Sequence, residues 1–113
     1  MLLAIDIGNS NISVGLFDEK RDLKFLSSID TDSRKTADQI SIDLMNIFSL
    51  YRYDLQDVSG AIFSSVVPAL TPRLREALRK MCECQIMEVG PGLKSGVRIR
   101  MDLSLIHISE PTR

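Results

Sequence analysis

Near the amino terminus, Asp6-Ile7-Gly8-Asn9-Ser10-Asn11 sets a carboxylate, a glycine and three short hydrogen-bonding side chains into an otherwise apolar run. Residues of these types at a strand end can hold phosphate. Glycine lets the backbone come close to a ligand and adopt positive φ, and consecutive turn amides form an anion-binding nest. Asn9, Ser10, Asn11 and Ser13 add side-chain donors for phosphate oxygens. Asp6 would repel a phosphate unless a cation lies between them, and Mg²⁺ fills that place when carboxylate, water and phosphate oxygens share it. The same residue types also make an ordinary hairpin turn. The segment is neither a Walker loop nor a dinucleotide fingerprint, because G-x₄-G-K-[ST] and G-x-G-x-x-G are both absent from the sequence.

The elements that position this segment follow from runs and periods. Leu2 to Ile7 and Ile12 to Phe17 are short apolar runs joined through the polar tetrapeptide, and Leu23 to Ile29 is a third run after Asp18-Glu19-Lys20-Arg21. Together they predict an antiparallel meander of three strands. The period then changes. Thr36-Ala37-Asp38-Gln39 has the spacing of a helix capping box, and Ile40, Leu44, Ile47 and Tyr51 recur at helical spacing. Val58 to Val67 predicts a buried strand ended by Pro68. Thr71-Pro72 predicts a helix cap followed by proline at the first helical position. Leu74, Ala77, Leu78 and Met81 form that helix's inward stripe, and Arg73, Arg75, Glu76, Arg79 and Lys80 its solvated face. Gln85 to Val89 is a last strand, followed by a turn at Gly90-Pro91-Gly92. Strands and helices in this order make an α/β domain with a mixed sheet.

A chain of 113 residues fits one compact domain, and 44% hydrophobic with 26% charged residues can bury a core. Fourteen basic against fifteen acidic residues, a formal charge of -1, give no electrostatic footprint for nucleic acid or an anionic membrane. A small-molecule partner fits better. The mixed charges on the helix after Pro72 read as surface. Cys82 and Cys84, one residue apart and without a second Cys/His cluster, predict free thiols in a reducing cytoplasm and no zinc site. No run approaches the roughly 20 apolar residues that span a bilayer, and nothing at the start has the form of a signal peptide. A soluble, cytoplasmic protein is expected.

With these residues in place, a family resemblance emerges. Asp6 to Asn11, followed by Gly15, resembles the first phosphate-binding motif, D-x-G-N-[ST], of the superfamily of acetate and sugar kinases, heat-shock cognate proteins and actin. Ser64-Ser65-Val66-Val67-Pro68 and Gly90-Pro91-Gly92-Leu93-Lys94-Ser95-Gly96 resemble the companion motifs of type III pantothenate kinase, and the resemblance covers residues 1 to about 102. It implies an actin-like, ribonuclease-H-like fold and ATP-dependent phosphorylation of pantothenate on the way to coenzyme A. Asp6, Ile7, Gly8, Asn9, Ser10, Asn11, Ile12 and Ser13 are then the ATP-binding positions, with Asp6 also at Mg²⁺. Ser64, Ser65, Gly90, Gly92 and Lys94 are further cleft candidates. The resemblance also implies a monovalent cation, K⁺ or NH₄⁺, and a homodimer. A sugar or acetate-type kinase and a non-catalytic nucleotide-binding or transcription accessory protein are the alternatives.

The sequence also departs from the family pattern. The G-x-D-R motif, whose aspartate is taken as general base on the pantothenate hydroxyl, is absent, as is the D-[FL]-G-T-[AT] motif associated with the monovalent cation. No catalytic residue is therefore assigned. Met101, in Arg100-Met101-Asp102, stands where the family usually has an aromatic residue touching substrate. Residues 103–113, LSLIHISEPTR, resemble along their whole length the conceptual translation of a sequencing-library adapter. The expectation is an N-terminal actin-like domain over residues 1–102, truncated before a second domain, with a non-native tail that removes His107 from any catalytic role.

Overall fold

Each apolar run becomes a strand in the computed structural model, which describes residues 1–89. β1 (Leu2–Ile7), β2 (Asn11–Phe17) and β3 (Leu23–Asp30) pair antiparallel in sequence order. The chain leaves the sheet through α1 (Ala37–Tyr51) and a 3-10 turn (Leu55–Asp57) and returns as β4 (Gly60–Ser65). It leaves again through α2 (Thr71–Met81) and returns as β5 (Gln85–Glu88). A helical crossover brings a strand back in its original direction. Accordingly β4 lies parallel to β1, β5 lies parallel to β4, and the strand order is β3-β2-β1-β4-β5. This is the mixed α/β sheet that the sequence predicts.

Alternation along the central strands assigns the two faces. Leu3, Ile5 and Ile7 of β1, Val14 and Leu16 of β2, and Phe63 of β4 pack with Ile40, Leu44 and Phe48 of α1 and Leu74, Ala77 and Leu78 of α2. Each fully buried side chain of this size contributes about 1.5–3 kcal/mol. β3 adds Phe25, whose ring meets Phe48 edge-on at 5.5 Å and stacks on Tyr51 at 4.7 Å. Tyr51, expected on the buried stripe, is instead 40% exposed and covers Phe25 from outside. On the opposite face Ala4, Phe17 and Ile62 form a smaller apolar cluster with Leu2, Met87 and Val89 packed against it.

Helix starts follow local chemistry. Thr36 caps α1, its hydroxyl accepting from the Gln39 N–H at 3.1 Å, as the capping spacing predicts. Thr71 does not cap α2. Leu70 holds that position without a side-chain bond, Thr71 is the first helical residue, and its hydroxyl donates back to the Val67 carbonyl at 3.3 Å. Pro72 then sits one position further in than expected, where a missing N–H still costs nothing. β4 is shorter than the apolar run, because the Ser65 hydroxyl closes a turn by accepting from the Val67 N–H at 3.0 Å.

The basic face of α2 is less solvated than its composition suggests. Arg73 Nη1 donates to the carbonyls of Ser33 at 2.8 Å and Lys35 at 2.9 Å, clamping the β3–α1 connection onto α2. Arg75 pairs with Glu88 and lies 5.5 Å over the Phe63 ring. At the other end of the sheet, the Met1 ammonium donates to the Asp57 carbonyl at 2.7 Å, and the Ser59 N–H donates to the Met1 carbonyl at 2.8 Å. Both cysteines are free thiols, Cys82 buried and Cys84 half-buried. Among the described residues, no helix is long and apolar enough to cross a membrane.

Candidate functional site

The C-terminal ends of the parallel strands collect the predicted site. In open α/β sheets ligands bind outside the carboxyl ends of strands, where the connections leave room for them. β1 ends in Asp6-Ile7 beside the Gly8–Asn11 turn, its parallel neighbour β4 ends in Ser64-Ser65, and β5 ends at the same edge at Glu88. The motif with Gly90, Gly92 and Lys94 follows β5 directly in sequence but lies outside the described residues. So do Arg100-Met101-Asp102 and the tail from Leu103.

Cross-strand register puts one carboxylate between hydroxyls. Asp6 is opposite Ser13 on β2 and opposite Ser64 on β4, and Ser13 is opposite Ser28 on β3. Directly paired residues share a sheet face. Ser28, Ser13, Asp6 and Ser64 therefore form a polar row on the face away from α1 and α2. Ser64 donates to Asp6 Oδ1 at 3.1 Å, while Oδ2 accepts no hydrogen bond from any described residue. Both Asp6 and Ser64 are half-buried.

The turn differs from the predicted nest. Neither Gly8 nor any other residue of the turn has positive φ, so the alternating left- and right-handed form of a nest is not made. Gly8 is favoured by proximity instead: a Cβ there would lie 3.2 Å from the Asn11 carbonyl oxygen, a tight contact. The Gly8 N–H is also committed, donating to that carbonyl at 2.9 Å. Among the described residues no bond takes the N–H groups of Asn9 and Ser10, and Asn9, Ser10 and Asn11 are exposed.

Not every predicted position can present a side chain. Ile7 and Ile12 are 1% and 3% exposed and belong to the core beneath the helices, leaving only their backbone near a ligand. Ser65 spends its hydroxyl on the turn at Val67, whereas Ser64 spends its own on Asp6. Thr31, whose hydroxyl donates to the Gly8 carbonyl at 2.8 Å, and Ser28 are not marked by any sequence motif. Ser28 could have been found by pairing the meander outward from Asp6; Thr31 carries no local signature. A surface cavity of about 470 Å³ between Leu55, Val58 and Cys82 opens at the opposite end of the sheet and contains none of the predicted residues.

The donor set suits a hard cation bridging to phosphate. One carboxylate oxygen held by a hydroxyl and one without a partner offer a single oxygen ligand, which fits Mg²⁺ completed by water and phosphate. No group of three or more His, Cys, Asp or Glu side chains that could cage a metal occurs among the described residues. No described residue is assigned to a monovalent cation.

Comparison with known proteins adds an independent line. The family model described as Type III pantothenate kinase matches residues 2–104. The type III pantothenate kinase of Moorella thermoacetica is 39% identical over 102 residues, covering 90% of this chain and 40% of that protein. That of Citrifermentans bemidjiense is 41% identical over 102 residues with the same coverage, 90% and 40%. This chain thus spans about 40% of the length of these curated relatives. Among solved structures, a Bacteroides thetaiotaomicron protein of unknown function with an actin-like ATPase fold matches with a TM-score of 0.57 at 10% identity, over 93% of this chain and 37% of that one. RuvC of T. thermophilus, in complex with a Holliday junction substrate, matches with a TM-score of 0.54 at 12% identity, over 80% of this chain and 64% of that one. At these identities the likeness is one of fold, and the actin-like neighbour agrees with the fold the motifs imply.

Proposed function

The chain belongs to the type III pantothenate kinase family, and from that premise we propose that it forms the nucleotide-phosphate wall of an enzyme that phosphorylates pantothenate to 4'-phosphopantothenate with ATP. The observation that carries this reading is Asp6, held by Ser64 at the carboxyl end of the sheet beside the unbonded Asn9 and Ser10 N–H groups.

Phosphoryl transfer depends mostly on positioning and on neutralising charge. The Asn9 and Ser10 amides, with the side chains of Asn9, Ser10, Asn11 and Ser13, bind and orient the phosphates. Ser64 fixes one oxygen of Asp6, which leaves the other to face a cation. Asp6 would hold Mg²⁺, which would supply positive charge to offset that of the phosphates. The family resemblance assigns Gly90, Gly92 and Lys94 to the same proposed cleft, together with Ser65, whose hydroxyl is committed to the turn at Val67. The family resemblance further suggests a monovalent cation, a homodimer and a cytoplasmic setting for the complete enzyme. We read residues 1–102 as the actin-like domain and residues 103–113 as foreign to it, a reading that rests on the adapter-like sequence of the tail.

Two assays test this. The complete kinase carrying this segment is expected to consume ATP only with pantothenate present and to yield a phosphate monoester of its hydroxyl; pantothenate-independent turnover would overturn the substrate assignment. This chain alone lacks the G-x-D-R aspartate, and its turnover should fall far below that of a full-length homologue. Equal turnover would show that the base lies within these residues.

A further inference from the structure

Thr31 follows directly on β3, at the sheet edge, and has no part in any motif. Among the described residues, it nonetheless makes two hydrogen bonds that reach the Gly8–Asn11 turn from outside the β1–β2 pair. Its hydroxyl donates to the Gly8 carbonyl at 2.8 Å, and its N–H donates to the Ser10 carbonyl at 3.0 Å. A trans peptide is planar, with its N–H opposed to its C=O. Fixing the Gly8 carbonyl therefore fixes the Asn9 N–H, and fixing the Ser10 carbonyl fixes the Asn11 N–H. Both N–H groups are turned away from Thr31. Since β3 lies on the outer side of β2, both N–H groups are turned to the β1 side of the hairpin, the side on which Asp6 ends β1. Both carbonyl dipoles, which would repel an anion, are held on the opposite side.

We propose that Thr31 is a positioning residue that orients the turn amides for the nucleotide phosphates. The inference rests on the reading of this turn as the phosphate-binding element. Preorganised donors need no reorientation when the anion arrives, and a turn without left-handed residues has no backbone signature of its own to hold them. The Thr31 bonds replace what a nest would have supplied.

The test uses the complete kinase. Thr31→Val keeps the shape and the backbone N–H but removes the hydroxyl, and Thr31→Ser restores it. ADP and adenosine affinities are measured by calorimetry, and ATP KM and kcat by turnover. Thr31→Val should weaken ADP binding and raise the ATP KM by about tenfold, the size of one lost hydrogen bond to an anion-binding group. Adenosine affinity and kcat should stay within about twofold, and Thr31→Ser should recover most of the loss. Asn9→Pro, which deletes one of the oriented N–H groups, separates the two readings. If Asn9→Pro weakens ADP but Thr31→Val does not, Thr31 is overturned and the phosphate turn stands. If Asn9→Pro leaves ADP affinity unchanged, the phosphate turn itself fails. Equal loss of ADP and adenosine in Thr31→Val, or no recovery in Thr31→Ser, reduces Thr31 to a fold-stabilising residue and also overturns the proposal.

Discussion

The Ser64 hydroxyl donates to Asp6 Oδ1 at 3.1 Å across the parallel pair β1–β4. In the role proposed for Asp6 a carboxylate is useful only if its orientation is set, and here the setting comes from a residue 58 positions away in sequence. Asp6→Asn should remove most of the gain in ATP affinity that Mg²⁺ confers and lower kcat/KM of the complete kinase on the order of a hundredfold. Ser64→Ala should cost about tenfold, because the acid remains but loses its orienting bond. Nucleotide affinity with and without Mg²⁺ checks both, and an Asp6→Asn enzyme that still gained fully from Mg²⁺ would detach this residue from the metal.

Gly8→Ala should destabilise the protein by about 1 kcal/mol. The added Cβ meets a backbone oxygen at 3.2 Å, an overpacking that costs about 1–3 kcal/mol, and the reduced freedom of the unfolded chain returns about 0.4–1 kcal/mol. The φ there is not positive, so left-handed strain adds nothing. Urea titration measures the difference; a variant as stable as the parent would mean that the Asn11 carbonyl moves freely.

Arg73→Ala should release the β3–α1 connection. The guanidinium holds the Ser33 and Lys35 carbonyls, and bonds from a charged donor contribute about 1.5–3 kcal/mol when buried, less for a half-exposed pair such as this. Hydrogen exchange should quicken over residues 31–36 and hardly change in β1 or β4. Uniform quickening across the sheet would contradict a local clamp.

The Cys82 thiol is pushed up from 9.0 to about 11, first by burial and then by the neighbouring Cys84. A raised thiol pKa means that the folded form holds its proton more tightly than the unfolded one. Its contribution is fully present below about pH 9 and is lost as pH rises towards 11. Iodoacetamide at neutral pH should therefore spare Cys82, as peptide mapping would reveal; rapid labelling there would mean that the thiol is open to solvent.

The strands were legible because each is a short, mainly apolar run bounded by polar turns, and Thr36 was legible because a capping box is local. What the sequence concealed depends on distant partners. Thr71 has the form of a cap, but its hydroxyl turns to Val67. Arg73 and Arg75 look like solvated charges until the Ser33 and Lys35 carbonyls and Glu88 come within reach. The pairing of Asp6 with Ser64 needed the strand order. Thr31 meets Gly8 across 23 residues, and a lone threonine after a strand announces nothing of the sort. The Gly8–Asn11 turn is bonded from outside by Thr31 and is not shaped by a left-handed glycine, as the motif had suggested.

The Met1 ammonium is bonded at the start of β1, whereas the Gly8–Asn11 turn lies past its end. Six residues of strand separate the two by about 20 Å. A tether fixed to the amino group would disturb only the ammonium bonds to the Asp57 carbonyl and the Ser59 hydroxyl and leave the proposed nucleotide end pointing away from the support. Met1 is thus the natural point of attachment for a surface-immobilised binding measurement.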